Sequence, residues 1–244
     1  MELPRHDVTS RWVRAGEAAA IAAAVALLAA NLVRLGHAAN ALATLGWWLP
    51  IAILLGALAA DLGSGLVHWF ADTWGSETMP ILGRRLLRPF RLHHVNPDDF
   101  LERSFLDCNG DVAAIVAPIL LGALWIPLDT PLGRAAAVFT VTLCAVGLPT
   151  NQVHQWAHRA RPPLPVLWLQ RSGLLLSHEQ HRLHHAAPFA MNYCIATGWC
   201  NRVLTACDFF RRAEHLISRI TGATPRAEDA AFAAQYDATG PAAR

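Results

Sequence analysis

Twelve histidines and not one lysine stand among the 244 residues of this chain, and eight of the histidines fall into four short sets. His68 is followed four residues on by Asp72, His93 and His94 are neighbours, His154 and His158 are four apart, and His181, His184 and His185 share the run HRLHH. Residues four apart lie on one side of a helix. The pairs His68/Asp72 and His154/His158 can therefore each present two ligands to one centre, and the triplet is expected to do the same. Eight imidazoles and a carboxylate are about twice the four ligands of a closed structural zinc site, which points to two ions. Imidazole suits zinc, copper, iron and nickel alike, so the residue types leave the metal open. A soluble di-iron bundle would carry Glu-x-x-His pairs, whereas these sets are nearly all histidine. His6, His37 and His215 are isolated and read as surface or hydrogen-bonded residues. His178 is out of phase with HRLHH and is left out. Five cysteines, with no CxxC pair, announce neither a disulfide framework nor a zinc knuckle.

The elements that must carry these residues are apolar. Of the chain, 54% is hydrophobic and only 16% charged, against about 25% charged in ordinary soluble domains; mean hydropathy is +0.29. That composition excludes disorder and argues against a soluble enzyme. A net charge of +2 is too small to suggest nucleic acid. A spanning helix needs about 20 mostly apolar residues, and four stretches qualify, over about 16–34, 45–70, 112–128 and 134–156. The first exceeds the usual apolar core of a signal peptide, roughly 7–15 residues, and reads as an anchor. The expected fold is an all-α integral membrane protein: four transmembrane helices, a cytoplasmic histidine-rich cap and an amphipathic C-terminal helix. Residues 1–14 form an N-terminal cytoplasmic segment, 15–235 the membrane domain and 236–244 a loose tail.

The spans make two hairpins, so both termini and the loop 71–111 share one side. Arg34 and Arg134 lie on the turn side, and the other 18 arginines on the opposite side. The positive-inside rule makes that side cytoplasmic, with the protein N-in and C-in. All four histidine sets then meet at one membrane face. Leu164–Ser177 is long enough only for an interfacial segment. Over Asp208–Gly222, apolar residues at Phe209, Phe210, Ala213, Leu216, Ile217 and Ile220 have helical spacing and predict an amphipathic helix lying on the cytoplasmic face or against the domain.

Six segments also carry a family likeness: GLVHWFADTWG (65–75), RPFRLHH (88–94), DCNGD (107–111), TNQVHQWAH (150–158), HRLHH (181–185) and YCIATGWCN (193–201), followed by the tail motif TGATPRAEDAAFA (221–233). In order and spacing they resemble the Kua-type lipid desaturase family, above all its plasmanylethanolamine desaturases. The resemblance implies a membrane-bound non-haem di-iron oxidoreductase. Such an enzyme removes two hydrogens from C1 and C2 of the sn-1 alkyl chain of a 1-O-alkyl-2-acyl phosphatidylethanolamine, giving the vinyl ether of a plasmalogen. It implies two iron ions, O2 as co-substrate, and electrons from NAD(P)H through cytochrome b5 or a ferredoxin-type carrier with its reductase. The family's histidines fall on His68, His93, His94, His154, His158, His181, His184 and His185, and its aspartate on Asp72. Plant relatives that introduce a trans-3 double bond into acyl phosphatidylglycerol share the histidine pattern but set the first His-His motif in another context. A non-catalytic metal-binding membrane protein is the alternative of a different class.

Other residues take secondary expectations. Arg84, Arg85, Arg88 and Arg91 could hold a lipid phosphate, since guanidinium forks match its oxygens, or could simply be positive-inside charge. Asp61, inside the second span, is either a partner that orients His68 or a helix-packing hydrogen bond. The chain has no GxGxxG, haem-binding HPGG or cysteine cluster, so electrons are expected from a separate protein. Its docking site is sought among Arg159, Arg161, Arg211 and Arg212. Abundant Ala and Arg without Lys suggest a GC-rich genome and hence a bacterial inner membrane, the endoplasmic reticulum being the eukaryotic counterpart.

Overall fold

A computed structural model describes residue 6 and residues 9–186 and 190–226. The expected tail over 236–244 and most of the N-terminal segment lie outside these residues. Among the described residues every regular element is helical: α1 Arg11–His37, α2 Ala39–Ala43, α3 Trp48–Thr73, a π-helical turn Gly83–Leu87, α4 Arg88–Val95, α5 Pro97–Glu102, α6 Phe105–Ala123, α7 Pro131–Gly147, α8 Thr150–His158, α9 Leu164–Arg171, α10 His178–His184, α11 Asn201–Ala206 and α12 Phe209–Thr221. Four stretches are long and apolar enough to cross a membrane: α1, α3, α6, and α7 with α8 together. This is an all-α, multi-pass membrane protein.

The described residues divide into two compact units, one of residues 9–63 and 104–153, the other of residues 6, 64–103, 154–186 and 190–226. In the first, α1 and α6 run parallel. Glu17 packs on Gly110, where a β-carbon would meet its Cγ at 2.4 Å. Further along, Asn31 Nδ2 donates to Leu120 O at 2.9 Å, and Arg34 Nη1 donates to Ala123 O at 3.1 Å. Parallel α1 and α6 are what two successive hairpins require. Val116, Leu120 and Cys144 form a small core with Leu27 and Leu28 against it. Outside it Val25, Leu32, Ile53, Leu55, Ile115 and Ile119 are exposed, an apolar surface suited to hydrocarbon rather than water.

Two spans depart from expectation. The third lies further toward the N-terminus, at Phe105–Ala123 instead of 112–128. Ser104 starts it, Oγ accepting from the Asp107 N–H at 3.3 Å, a side-chain cap that outweighs two aspartates in the first turns. The fourth breaks into α7 and α8 just before Thr150, where Pro149 supplies no N–H.

In the second unit the last turns of α3 and the end of α8 meet the short helices α4, α5, α9, α10, α11 and α12. His93 and His94 are not in a loop, as expected, but in the last turn of α4. Gln155 on α8 donates to Phe100 O at 2.8 Å and Arg103 O at 3.2 Å, binding α8 to the end of α5. The segment 192–197 crosses α3 at Gly65, where a β-carbon would lie 2.4 Å from Cys194 Sγ; only glycine permits that approach. Trp69, Trp74, Tyr193 and Phe210 close the core beneath α12.

Candidate metal centre

The second unit collects the nine ligand candidates into two groups. His93, His154, His158, His181 and His185 form one; His68, Asp72, His94 and His184 form the other, and within each the donor atoms lie within 4.8 Å of one another. The two groups abut. His94 and His185, one from each, have ring centroids 4.5 Å apart, and His68 and His154 lie at 5.3 Å.

Helix geometry explains the sorting. Neighbouring residues on a helix point about 100° apart. His93 and His94 therefore address different groups. The HRLHH triplet, expected at one centre, divides for the same reason: His181 and His185 join the five-histidine group, while His184 turns to the other. The pairs spaced by four stay together, His154 with His158 and His68 with Asp72.

The donor atoms fit ions better than they fit one another. His181 Nε2 lies 2.9 Å from His154 Nε2, 2.8 Å from His158 Nε2 and 3.0 Å from His185 Nε2. A ring nitrogen carries one hydrogen or one lone pair, so hydrogen bonds cannot satisfy three such neighbours. Ligands about 2.1 Å from a shared ion stand roughly 3.0–3.4 Å apart, close to these separations. His93 Nε2 and His68 Nε2 are buried without a hydrogen-bond partner, a cost that an ion would remove. In the other group Asp72 Oδ2 lies 3.2 Å from both His68 Nε2 and His94 Nε2, and 3.6 Å from His184 Nε2.

Backbone carbonyls orient two of the rings. His68 Nδ1 pairs with Tyr193 O at 3.1 Å and His184 Nδ1 with Met191 O at 2.9 Å. Carbonyls only accept, so both rings carry their hydrogen on Nδ1 and turn the Nε2 lone pair into the site. Asn201 holds the first carbonyl in place: its amide accepts from Cys194 N and donates to Cys194 O, each at 2.9 Å. Burial, more than the neighbouring rings, holds His93, His181 and His185 well below the ordinary histidine pKa of 6.5. It lowers His184 too, with Asp72 opposing. These rings are neutral at pH 7, as ligands must be. Phe90 and Phe100 wall the site, with centroids 4.9 Å from His68 and 4.8 Å from His154.

The secondary expectations fare differently. Arg91 is buried, its guanidinium donating to Ala71 O, Trp74 O and Gly75 O at 3.0, 2.7 and 3.1 Å. It closes the C-terminal end of α3 beside Asp72 and has little left to offer a phosphate. Arg84 and Arg85 are exposed and Arg88 half-buried. Asp61 is fully buried but stands in neither group, and the His68 nitrogen it was expected to orient is taken by Tyr193 O. His178 is outside both groups, its Nδ1 2.7 Å from Ala157 O. The two orienting carbonyls, Asn201 and the phenylalanine wall were not anticipated as site features. Asn201 and Tyr193 stood only inside the quoted YCIATGWCN motif, and a carbonyl leaves no residue-type signal at all.

Comparison with known proteins settles the lineage. Residues 57–228 match a family described as a lipid desaturase domain. The chain belongs to that family. It is 43% identical over 218 residues, 89% of this chain and 76% of the relative, to a plasmanylethanolamine desaturase of Myxococcus xanthus. It is 40% identical over 189 residues, 75% of this chain and 70% of the relative, to plasmanylethanolamine desaturase 1 of Mus musculus. A chloroplastic fatty acid desaturase 4 of Arabidopsis thaliana is 36% identical over 176 residues, 70% of this chain and 52% of the relative. No solved structure matches. All nine candidate ligands lie inside the matched region, and the family makes the chain a desaturase-type oxidoreductase of lipid metabolism.

Proposed function

We propose that this lipid desaturase is a plasmanylethanolamine desaturase. It takes 1-O-alkyl-2-acyl phosphatidylethanolamine, removes one hydrogen each from C1 and C2 of the alkyl chain, and leaves a vinyl ether. The balance is one O2, two electrons and two protons consumed with the two substrate hydrogens, giving two waters. The electrons come from NAD(P)H through cytochrome b5 or a ferredoxin-type carrier.

The observation that carries the proposal is the pair of abutting ligand groups at the ends of α3 and α8. With iron bound by the five histidines and by His68, Asp72, His94 and His184, the site would supply the reduction of O2 and the oxidising power for C–H cleavage. The chain itself keeps the rings neutral by burying them, turns two of them through Tyr193 O and Met191 O, and walls the site with Phe90 and Phe100. The bond to be desaturated adjoins the glycerol oxygen, just below the head group. Ligands in the last turns of two membrane-spanning helices support a centre at that depth, and the arginine asymmetry supports the inner leaflet, in a bacterial inner membrane. Arg84, Arg85 and Arg88 remain the candidates for the substrate phosphate.

The test is turnover. Protein loaded anaerobically with Fe(II) is given alkyl-acyl phosphatidylethanolamine, O2 and a reducing system. An acid-labile vinyl ether, absent without iron or O2, is the expected product. A trans-3 acyl chain formed on phosphatidylglycerol instead would assign the chain to the plant-like reaction, and metal exchange without product would make it a binding protein.

A further inference from the structure

The C-terminal helix α12 has more apolar surface than the protein covers. At about 100° per residue, Phe210, Glu214 and Ile217 share one arc, and Phe209, Leu216 and Ile220 fall within about 40° of each other on the next. The first arc packs inward: Phe210 is 3% and Glu214 4% exposed, and Ile217 rests against the Trp69–Trp74–Tyr193–Phe210 core. The second arc does not, with Leu216 59%, Ile220 74% and Phe209 37% exposed. On its far side, away from the core, come Arg212 and Arg219. Both are exposed, and neither has an ion-pair partner among the described residues.

We infer that α12 lies in the plane of the membrane and seats this second arc in an anionic phospholipid surface. The order around the helix (protein, apolar, arginine) is that of an in-plane helix at the edge of a membrane domain. Phe209, Leu216 and Ile220 enter the boundary of the acyl region, and Arg212 and Arg219 reach phosphates alongside. Two exposed guanidiniums without an ion-pair partner among the described residues are what choose a charged lipid surface over an apolar protein groove. The seat is mechanically linked to the metal-bearing helix. Glu214, on the inward arc, accepts from Trp69 Nε1 at 3.0 Å and from Arg211 Nη1 at 2.7 Å, and Trp69 adjoins His68 on α3.

The experiment uses the full-length protein in nanodiscs, one set of phosphatidylcholine alone and one containing phosphatidylglycerol. Exposed Cys207 and half-buried Cys200 are replaced by serine, and single spin labels are placed at 209, 215, 216 and 220. Collision with O2, which partitions into lipid, is compared with collision with a water-soluble nickel chelate. Labels at 209, 216 and 220 should be O2-accessible and nickel-protected and the label at 215 the reverse, with larger contrast in the phosphatidylglycerol discs. The double variant Arg212→Gln/Arg219→Gln should lower the O2-to-nickel ratio at 220 at least about twofold in those discs and little in the neutral ones. Low access to both reagents would show that protein covers the face, and free access to nickel would show that it stays in water. Either overturns the inference, and neither depends on which lipid is the substrate.

Discussion

Nδ1 of His68 faces the carbonyl oxygen of Tyr193 at 3.1 Å, so a ligand on α3 is aligned by main chain more than 100 residues away in sequence. The position of that main chain depends in turn on Asn201. Replacing Asn201 by alanine removes two buried hydrogen bonds to Cys194, a loss of about 2–3 kcal/mol. Metal affinity of the group containing His68 should fall about 10–100-fold, the usual cost of disturbing a ligand's orienting partner. Tyr193→Phe keeps the carbonyl and should keep the metal. Metal titration of the two variants checks the contrast; equal losses would show that the Tyr193 hydroxyl matters as much as the held carbonyl.

Asp72 is the one carboxylate among the nine candidate ligands. Asp72→Asn should strip the metal from its own group and leave the five-histidine group loaded, while His181→Ala should do the opposite. Metal per protein, measured by elemental analysis, should drop from two toward one in each. Desaturation should fall at least about 100-fold in both, because second-partner losses alone cost that much.

Arg91 fastens α4 to the end of α3 through three carbonyls. Arg91→Lys keeps the charge but cannot reproduce the fork. A stability loss of about 1.5–3 kcal/mol is expected, read as a lower melting temperature. Arg84→Ala, on the exposed face, should leave stability within about 0.5 kcal/mol. If Arg84 meets the substrate phosphate, that variant raises KM for the lipid with kcat unchanged.

Cys194 Sγ would sit 2.4 Å from a β-carbon added at Gly65. Gly65→Ala should cost about 1–3 kcal/mol through overpacking. Cys194→Ala in the same chain should recover part of it, since the sulfur is the nearest clash and Cys194 N, at 3.1 Å, remains. A double-variant cycle on unfolding midpoints measures the recovery.

In the folded protein burial holds His93, His181 and His185 well below the ordinary 6.5, and His184 below it. The unfolded chain, by contrast, takes up protons as pH falls through about 6.5. Metal-free protein should therefore be fully stable above that pH and lose stability below it, by up to about 1.4 kcal/mol per pH unit for each such ring. Denaturant midpoints between pH 7.5 and 5.5, where about one unit of that fall is expected, check the sign. A rise in stability on acidification would contradict it.

That His68 stays with Asp72 and His154 with His158 is legible because residues four apart share one side of a helix, and spacing survives without any knowledge of the fold. The division of HRLHH was less so. His181, His184 and His185 can look like one face of a helix, and only the rings arriving from α3, α4 and α8 show that His184 serves another group. The third span was misplaced because an apolar count avoids Asp107 and Asp111, although Ser104-Phe105-Leu106-Asp107 already holds a capping signal. Arg91 looked like its neighbours Arg84, Arg85 and Arg88. Its role depends on where α3 stops, and that is a tertiary fact. The orienting carbonyls belong to Met191 and Tyr193 for positional reasons that no side chain advertises.

The peptide bonds joining His93 to His94 and His184 to His185 are equally short covalent routes between the two groups of candidate ligands. Helix α4 and the end of α10 thus each serve as a common axle: if either rolls, donor atoms of both groups shift at once. An empty group should therefore loosen the other without emptying it, so the one ion left in Asp72→Asn or His181→Ala should be held more weakly than in the parent protein.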